Sequence, residues 1–423
     1  MIRVYPRLGR GVLMRVQTMR KIDYFVGIPL CFLVSIIQRV LNLFQGVQHI
    51  YPKKVLFIEL SEMGSTILAD PAMQKLKKAT GAELYFLIFE RCKESLWLLP
   101  TVPAHHVCTI RETNVFTLAL DVVRYVVWAR RQGIDTVIDL ELFSRFTALL
   151  TFLSGARNRV GFYAYHHEGL YRGELLTHKV SYNPHIHMAK NFLALVAALL
   201  SLNKEIPYAK VMIRDEEVRL QKVQYPASEQ HRMQALVRQY YPLYHPSQHA
   251  LVLINPNASE LLPQRRWMPE KYVALIQKIL QQHPHVLILI TGAPREWEEA
   301  EVLTKHVAHD RCINFAGALK LLDLPLLYSI STCMITNDSG PAHFASITEM
   351  PTFVLFGPET PQLYGPLGQT TPIYAGLACS PCVAATNHRQ TPCTDNICLK
   401  VIDPEWVYDL VQPLLQSIYV HSG

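Results

Sequence analysis

The residues best suited to chemistry form the stretch NDSGPAH at positions 337–343, which follows a short apolar run. Proline is favoured at the first position of a helix, so Pro341 predicts that a helix begins here. Backbone N–H groups of Ser339 and Gly340 would then project from the helix N-terminus, a geometry that binds phosphate or diphosphate groups. Asp338 would repel a phosphate and is better suited to accept hydrogen bonds from sugar hydroxyls, while His343 lies on the first turn. An ordinary capped helix, with Asp338 or Ser339 as the cap, accounts for these residues equally well.

A second candidate site lies in VLFIELSEMGSTILADPAM at positions 55–73, which is typical of a strand, a tight loop and the start of a helix. Loops in this position lie at the mouth of an α/β sheet, where ligands bind. Glu62 and Ser65 stand in this loop, on either side of Gly64. They either carry chemistry or only hold the loop together.

A third candidate site is the cluster CSPCVAATNHRQTPCTDNIC, in which Cys379, Cys382, Cys393 and Cys398 have spacings that suggest a tetrahedral structural zinc or iron site. His388 is a spare ligand candidate. Reduced thiols without a metal are an equally good interpretation, and a catalytic metal is disfavoured because four cysteines would fill its coordination shell. The other cysteines lie in apolar contexts and are predicted to be core residues. Nine cysteines in 423 residues argue against a secreted scaffold built on disulfides.

These sites require a framework of parallel strands and helices. Short β-rich runs alternate with helical patterns from position 54 onward, which is typical of βαβ units. We predict an α/β protein with two Rossmann-like domains that face each other across a cleft. The predicted units are a basic arm with an apolar segment (1–50), a first Rossmann-like domain (51–213), a polar helical linker (214–247), a second Rossmann-like domain with the cysteine cluster (248–402) and a final helix (403–423).

Charge is concentrated at the N-terminus. The chain has a net charge of +7, of which the first 50 residues carry +6. A nucleic-acid-binding protein would spread its basic residues over a folded face, so we expect no nucleic-acid partner. The basic arm leads into the run YFVGIPLCFLVSII, whose uncharged part is shorter than the roughly 20 residues needed to cross a bilayer. We expect an interfacial or re-entrant segment on the cytoplasmic face of the inner membrane. An extra helix packed on the body of the protein is the alternative.

Several blocks together resemble glycosyltransferase family 9, the heptosyltransferases. Asp-Ser-Gly-Pro-x-His, a helix of small residues, VLFGPETP and YGPLG resemble the nucleotide-binding block of that family. The basic loop of the family resembles the stretch INPNASELLPQRRWMPEKY. Its strand followed by Gly-x-x-x-Glu resembles LITGAPREWEEAE. Its acceptor-side strand and helix resemble VIDLELFSRFTALLTFLSGARNRVGF. The stretch at 55–73 resembles its first strand and loop. The blocks keep the order of the family over most of residues 54–400, which makes the resemblance specific.

The resemblance implies a GT-B fold and inverting transfer of a sugar, typically heptose from ADP-heptose, onto a lipopolysaccharide-type acceptor. It also implies roles for particular residues. On the donor side it places Asp338 near the nucleoside and Glu296 at the ribose. The N–H groups of Ser339 and Gly340 would lie near the diphosphate, and a basic side chain of Arg265 or Arg266 would neutralise the phosphates. His343 would face the same cleft. On the acceptor side it implies Gly64, Arg145, Arg159 and His187, and it associates the four cysteines with a metal in some relatives.

The chain departs from the family in its first loop, which usually reads Gly-Asp with the aspartate as the base. Here the loop reads Gly64-Ser65, and a neutral serine does not take a proton unaided. Glu62 is the nearest carboxylate and our first choice as base, with Asp70 second. An exposed loop acid is an equally good interpretation of Glu62. A helix cap at Ser65 in a weak or inactive site is a further alternative.

We therefore expect a membrane-tethered, inverting glycosyltransferase that uses a nucleotide-sugar donor and a lipid-linked or envelope glycan acceptor. No cofactor is expected to be required for catalysis. The leading alternative is a non-catalytic nucleotide-sugar-binding or assembly protein of the same fold. A nucleotide-sugar epimerase of this fold ranks third, because it would not explain the acceptor-side block.

Overall fold

The computed structural model describes residues 14, 16–45, 50–165, 169–201, 209–259 and 262–420. Its first domain is a six-stranded parallel sheet, in the order β3-β2-β1-β4-β5-β6. The strands are β1 (Lys54–Ile58), β2 (Glu83–Phe89), β3 (Val107–Ile110), β4 (Thr136–Asp139), β5 (Asn158–Phe162) and β6 (His178–Val180). The helices are α1 (Val16–Phe25), α2 (Gly27–Gln45), α3 (Met63–Thr80), α4 (Val115–Gln132), α5 (Arg145–Leu153) and α6 (Met188–Leu200).

The second domain repeats this topology. Its parallel sheet has the order β12-β11-β10-β7-β8-β9, so each sheet reverses its strand order between its first and fourth strands. The strands are β7 (Ala250–Asn255), β8 (Val286–Ile290), β9 (Cys312–Asn314), β10 (Cys333–Asn337), β11 (Thr352–Phe356) and β12 (Thr370–Tyr374). The helices are α7 (Ala227–Tyr240), α8 (Pro269–Gln282), α9 (Trp297–Val307), α10 (Leu324–Ser329), α11 (Gly340–Ala345), α12 (Pro361–Tyr364), α13 (Ile397–Lys400) and α14 (Pro404–Val420). Ligands bind at such reversal points in α/β sheets.

The central strands of both sheets are buried on both faces, as their continuous apolar sequences require. In the first domain, α3 and α6 cover one face of the sheet, while α4 and α5 cover the other. The apolar cores of the domains are continuous: Leu363 and Tyr364 join the core of the first domain, and Ile67 joins that of the second. The two domains are therefore in direct contact.

The N-terminal helices α1 and α2 pack against α5 on the outside of the first domain. Residues 17–40 form one stretch that is long and apolar enough to cross a membrane, by length and composition alone. Cys31 and Ser35 on its inner side are buried, whereas most of its apolar side chains are exposed. Within 214–247, α7 buries Met233 and Val237 in the core of the second domain.

Candidate active site

A cavity of about 980 Å³ lies where the C-terminal ends of β1 and β4 meet the second domain and the N-terminal helices. The loop after β1 contributes Glu59, Glu62 and Ser65, and residues 388–391 approach from the second domain. Ligand pockets are typically of roughly 300–1,000 Å³. The cavity is thus at the place and of the size expected for a substrate site.

Glu62 occupies the residue position before α3, but its side chain makes no capping hydrogen bond. Its carboxylate instead accepts a hydrogen bond of 3.2 Å from Ser65 Oγ and forms an ion pair with Arg389 of the second domain. The Glu62 side chain remains 34% exposed, whereas Ser65 is buried. Glu62 therefore presents a carboxylate to the cavity, and the hydroxyl of Ser65 orients it. The second-choice base, Asp70, is buried and accepts a hydrogen bond from Thr101, so it is placed as a structural acid.

Behind the cavity, an ionic network links Arg265 to acids on both sides. Arg265 Nη2 is 2.8 Å from Glu359 Oε1, and its Nε is 3.3 Å from Asp338 Oδ2. The Arg389 guanidinium also binds Glu359 Oε1, at 2.8 Å. Glu359 is 1% exposed, and this burial raises its pKa to about 7 although Arg265 opposes the shift. Burial also raises the pKa of Asp338, against the opposing charge of Arg265.

This network retains unused hydrogen-bonding capacity. Asp338 Oδ2 and Arg265 Nε form an ion pair but no hydrogen bond, and the nearby His343 Nδ1 is buried without a hydrogen bond to any described residue. These atoms can therefore still accept or donate a hydrogen bond to a further polar group. Burial lowers the pKa of His343 to about 3, so its imidazole is neutral. The structure therefore brings together the predicted donor residues Arg265, Asp338 and His343.

The N-terminus of α11 lies beside this network, but α11 is only six residues long. Ser339 stands at the cap position without a side-chain capping bond, and its hydroxyl donates to the Asn337 carbonyl at 3.2 Å. Neither Ser339 nor Asp338 therefore acts as an ordinary cap. Asn337 holds the loop in place, because its side chain accepts from Trp267 N at 3.0 Å and donates to the Pro256 carbonyl at 2.7 Å. Contact of Ser339 and Gly340 with a diphosphate stays a prediction.

Glu296 and Arg266, the other predicted donor residues, lie on neighbouring loops of the second domain. Glu296 Oε2 accepts hydrogen bonds from Asn257 Nδ2 at 3.0 Å and from Ala293 N at 2.6 Å. The Asn257 side chain and the Ala293 backbone together fix its carboxylate. Arg266 pairs with Glu299 at 3.3 Å and lies outside the buried ionic network. The structure thus places Arg265, and not Arg266, in the buried network, and contact of either arginine with phosphate stays a prediction.

Gly64 and His187 mark the contact between the domains. A Cβ atom added at Gly64 would lie 2.6 Å from His343 Cδ2, so only glycine allows this approach. His187 caps α6 by accepting from Ala189 N, and its Nε2 donates to the Gly365 carbonyl across the interface at 2.7 Å. Desolvation by burial lowers the pKa of His187. Both residues therefore hold the two domains together.

The predicted acceptor arginines are engaged by the protein itself. Arg145 is 1% exposed and pairs with Asp23 of α1 at 3.0 Å. Arg159 Nε and Nη1 donate to the carbonyls of Leu175 and Ala156 at 2.6 and 2.8 Å. Arg145 lines the cavity, whereas Arg159 is absent from its wall. The family resemblance alone did not reveal these internal partners, and contact of either arginine with an acceptor stays a prediction.

The four clustered cysteines do not form a preformed metal site. No group of three or more His, Cys, Asp or Glu side chains within the described ranges is arranged to hold a metal ion. Cys379 is exposed and Cys398 is buried, and the sulfurs of Cys382 and Cys393 hydrogen-bond to Thr391 and Asp395. His388 lines the cavity instead of completing the cluster. A structural metal at these cysteines stays a prediction.

Sequence reasoning missed four charged residues of the site. Arg389 and Glu359 belong to the ionic network, and Glu359 stands in the quoted block VLFGPETP. Glu59 and Glu141, at the ends of adjacent strands, share a side-chain hydrogen bond, and burial raises the pKa of both. Glu59 and Glu141 could have been found from the sequence because they follow β1 and β4. Parallel strands bring the side chains after their C-terminal ends to one edge of the sheet.

Comparison with known proteins agrees with this geometry. The model of glycosyltransferase family 9 (heptosyltransferase) matches residues 129–391, which is more than half of the chain. The chain belongs to glycosyltransferase family 9. The family member lipooligosaccharide heptosyltransferase 2 of Campylobacter jejuni is 26% identical over 178 residues, 40% of this chain and 51% of its own length. Lipooligosaccharide heptosyltransferase 2 of Haemophilus influenzae is 30% identical over 117 residues, 27% of this chain and 34% of its own. The matched segments thus span only a third to a half of these relatives.

Solved structures of the family share the fold. The E. coli ADP-heptose LPS heptosyltransferase II superposes with a TM-score of 0.62 at 19% identity, covering 86% of this chain and 99% of its own. The family 9 glycosyltransferase of Veillonella parvula superposes with a TM-score of 0.63 at 18% identity, covering 88% of this chain and 99% of its own. The prediction of family 9 with two Rossmann-like domains is confirmed.

Proposed function

We propose that this protein is an inverting glycosyltransferase that moves heptose from ADP-heptose to a lipopolysaccharide-type envelope glycan. The observation that carries the proposal is the charged network Arg265, Asp338, Glu359 and Arg389, which extends across the domain interface to Glu62. In this network a guanidinium suited to phosphate, Arg265, and a partly exposed carboxylate, Glu62, belong to opposite domains. The similarity to heptosyltransferases, including the E. coli ADP-heptose LPS heptosyltransferase II, supports the choice of sugar.

On the donor side, Arg265 would bind the diphosphate of the nucleotide sugar and stabilise its departing charge. A guanidinium offers paired donors to phosphate oxygens, and its burial strengthens the interaction. Asp338 Oδ2, which pairs with Arg265 but makes no hydrogen bond, would accept hydroxyl groups of the sugar or nucleoside, and Glu296 would hold the ribose. Together with the predicted backbone N–H contacts of Ser339 and Gly340, this arrangement would stabilise the leaving diphosphate.

On the acceptor side, Glu62 would take the proton from the attacking hydroxyl. Its carboxylate faces the cavity, and its partners Ser65 and Arg389 hold it from both domains. A base in this position suits inversion, because the acceptor attacks from the side opposite the leaving diphosphate. Glu62 thus replaces the aspartate that the family has one residue after the loop glycine.

We place the reaction at the cytoplasmic face of the inner membrane. The exposed apolar surface of α2 and the basic N-terminal arm favour an anionic membrane surface as a peripheral or monotopic partner. The ion pair between Asp23 and Arg145 holds the helix pair against the first domain, which favours a helix lying on the membrane over one crossing it.

Release of ADP from ADP-heptose in the presence of extracted envelope acceptor tests the proposal. Glu62→Gln is expected to lower kcat by roughly 10²- to 10⁴-fold, the usual contribution of a general base. Ser65→Ala, the matched control in the same loop, should change kcat by only a few-fold because it removes one orienting hydrogen bond. ADP affinity should be unchanged in both variants. Tight ADP binding without turnover on any acceptor would instead favour the non-catalytic binding protein.

A further inference from the structure

The lining of the cavity combines polar and apolar side chains. Glu62 and Arg389 line it together with charged residues of α1, among them Arg20 and Asp23. The helix pair, α4 and α5 also contribute apolar side chains, namely Phe25, Val26, Leu30, Leu118, Phe146 and Leu149. We call this part of the lining the apolar groove. A sugar suits the polar part of the lining, whereas neither a nucleotide nor a glycan has an alkyl chain that would cover these six side chains.

The wall of the groove is built into the fold. Asp23 accepts hydrogen bonds of 2.9 Å from the backbone N–H groups of Arg145 and Phe146, at the N-terminus of α5. Ser35 accepts from Glu174 N at 2.7 Å, which fixes α2 further along. The helix pair is therefore a fixed part of the first domain, and its apolar side chains line the groove in a defined position.

The surface outside the groove is also apolar. Phe116, Leu120, Val123 and Val127 of α4 are 72%, 50%, 63% and 43% exposed. Their spacing places them in one stripe along the helix. On α2, Phe32, Leu33, Ile36 and Ile37 are exposed in the same way. Solvent-facing stripes of this size are unfavourable in water and mark contact with lipid or protein.

Basic residues accompany these stripes. Lys21 on α1 and Arg124, Arg130 and Arg131 on α4 are exposed. Arg124 lies between Val123 and Val127, so apolar and cationic groups share one face of the helix. Apolar side chains combined with arginine and lysine are the signature of a helix that lies on an anionic lipid surface. Lipid is therefore the occupant that this charge pattern favours.

We propose that the apolar groove binds an acyl chain of the lipid-anchored acceptor and thereby places the acceptor sugar at Glu62. The inference rests on the proposed function and adds a binding site for the part of the acceptor that does not react. The residues of the groove belong to or adjoin the helices that carry the exposed apolar stripes, so a membrane bound to those stripes would bring acyl chains close to the groove. The sugar at the head of the same molecule then reaches Glu62.

Kinetics with two forms of one acceptor test the groove. The glycan is supplied fully acylated in mixed micelles of an uncharged detergent, and fully deacylated in solution. Phe25→Gln/Leu30→Gln is expected to raise KM for the acylated form roughly tenfold, because partial burial of two apolar side chains is lost. KM for the deacylated form should stay unchanged, which also shows that the variant is folded. Val302→Gln/Leu322→Gln is the matched control, because Leu322 is 43% exposed and Leu30 is 42% exposed, and both control residues lie outside the cavity.

The inference is overturned if the groove variant raises KM equally for both forms or leaves both unchanged. Equilibrium binding of the two glycans is measured in parallel, so the groove is tested even where neither glycan turns over. Absence of turnover by the wild-type protein would count against the proposed function, whereas selective loss of acylated-glycan binding would still support the groove. Loss of flotation with anionic phospholipid vesicles, with acylated-glycan binding intact, would show a membrane-docking patch and refute an acceptor site. A change only in oligomeric state would show an interface between copies.

Discussion

Replacing Gly64 with alanine tests whether the two domains meet in solution as they do in the structure. The added methyl carbon would lie 2.6 Å from His343 Cδ2 and 3.1 Å from its Cγ. Ordinary contacts of this kind are at least 3.4 Å, so the side chain or the domain must move by almost 1 Å. Both residues lie at the interface, and His343 is buried, which leaves its ring little room to turn away.

The expected cost follows from two opposing effects. Overpacking a close contact typically costs about 1–3 kcal/mol, while alanine is favoured over glycine in a helix by up to about 1 kcal/mol. We expect Gly64→Ala to lower the free energy of unfolding by about 1–2 kcal/mol. In a His343→Ala background the contact is gone, and the same substitution should be neutral or stabilising by a few tenths of a kcal/mol. The sign of the effect therefore reverses.

Urea unfolding of the wild type, both single variants and the double variant gives the coupling free energy. We expect a coupling of about 2 kcal/mol between the two positions. As a control, Gly81→Ala lacks a close neighbour but has a left-handed backbone with φ of +68°, so its cost should be the same in both backgrounds. A coupling near zero, or a stabilising Gly64→Ala in the wild type, would refute the domain contact.

Three further outcomes are expected. Glu359 has a folded pKa of about 7, above its ordinary value of 4.5, so its contribution to stability is full below pH 4.5 and is lost as the pH rises through 7. Glu359→Gln should therefore reduce the fall in unfolding free energy over this pH range by up to about 3 kcal/mol. An unchanged pH dependence of the unfolding free energy would contradict the assignment of this pKa to Glu359. Asp23→Asn should cost about 1–3 kcal/mol in urea unfolding, because it weakens the partner of buried Arg145, whereas Asp310→Asn at an exposed site should be neutral. EDTA or an iron chelator should leave ADP release unchanged, and loss of activity that added metal restores would reinstate a metal at the cysteines.

Much of the fold could be predicted because its central strands are continuous apolar runs. Segments such as 55–58 and 286–290 are buried on both faces, and this burial leaves a pattern in the sequence. The short strands β6, β9 and β12 have no such apolar run. They lie at the edges of their sheets, β6 and β9 have only three residues each, and β12 contains Pro372. Edge strands are partly solvated and tolerate proline, so they leave little signal.

The site was less predictable than the fold, because its residues come from distant parts of the chain. Arg265 and Glu359 are separated by 94 positions, and Glu62 and Arg389 by 327. No local spacing reveals such pairs. The resemblance to a family supplied Arg265 and Asp338, but it did not supply Arg389, which stands inside a cysteine cluster that suggested a metal instead. Long-range ion pairs are visible only once the domains are packed.

The position of Glu62 gives the departure from Gly-Asp a physical meaning. An aspartate in the first turn of α3 would be held by its own helix, whereas Glu62 precedes the helix and is held by Arg389 of the other domain. Arg389 is in turn held by Glu359, which also binds Arg265 on the donor side. The carboxylate that would take the proton and the guanidinium that would bind the diphosphate are therefore joined through one buried acid. Separation of the domains would break the Glu62–Arg389 pair and leave Ser65 as the partner of that carboxylate, so we infer that Glu62 is fully oriented only when the domains are in contact.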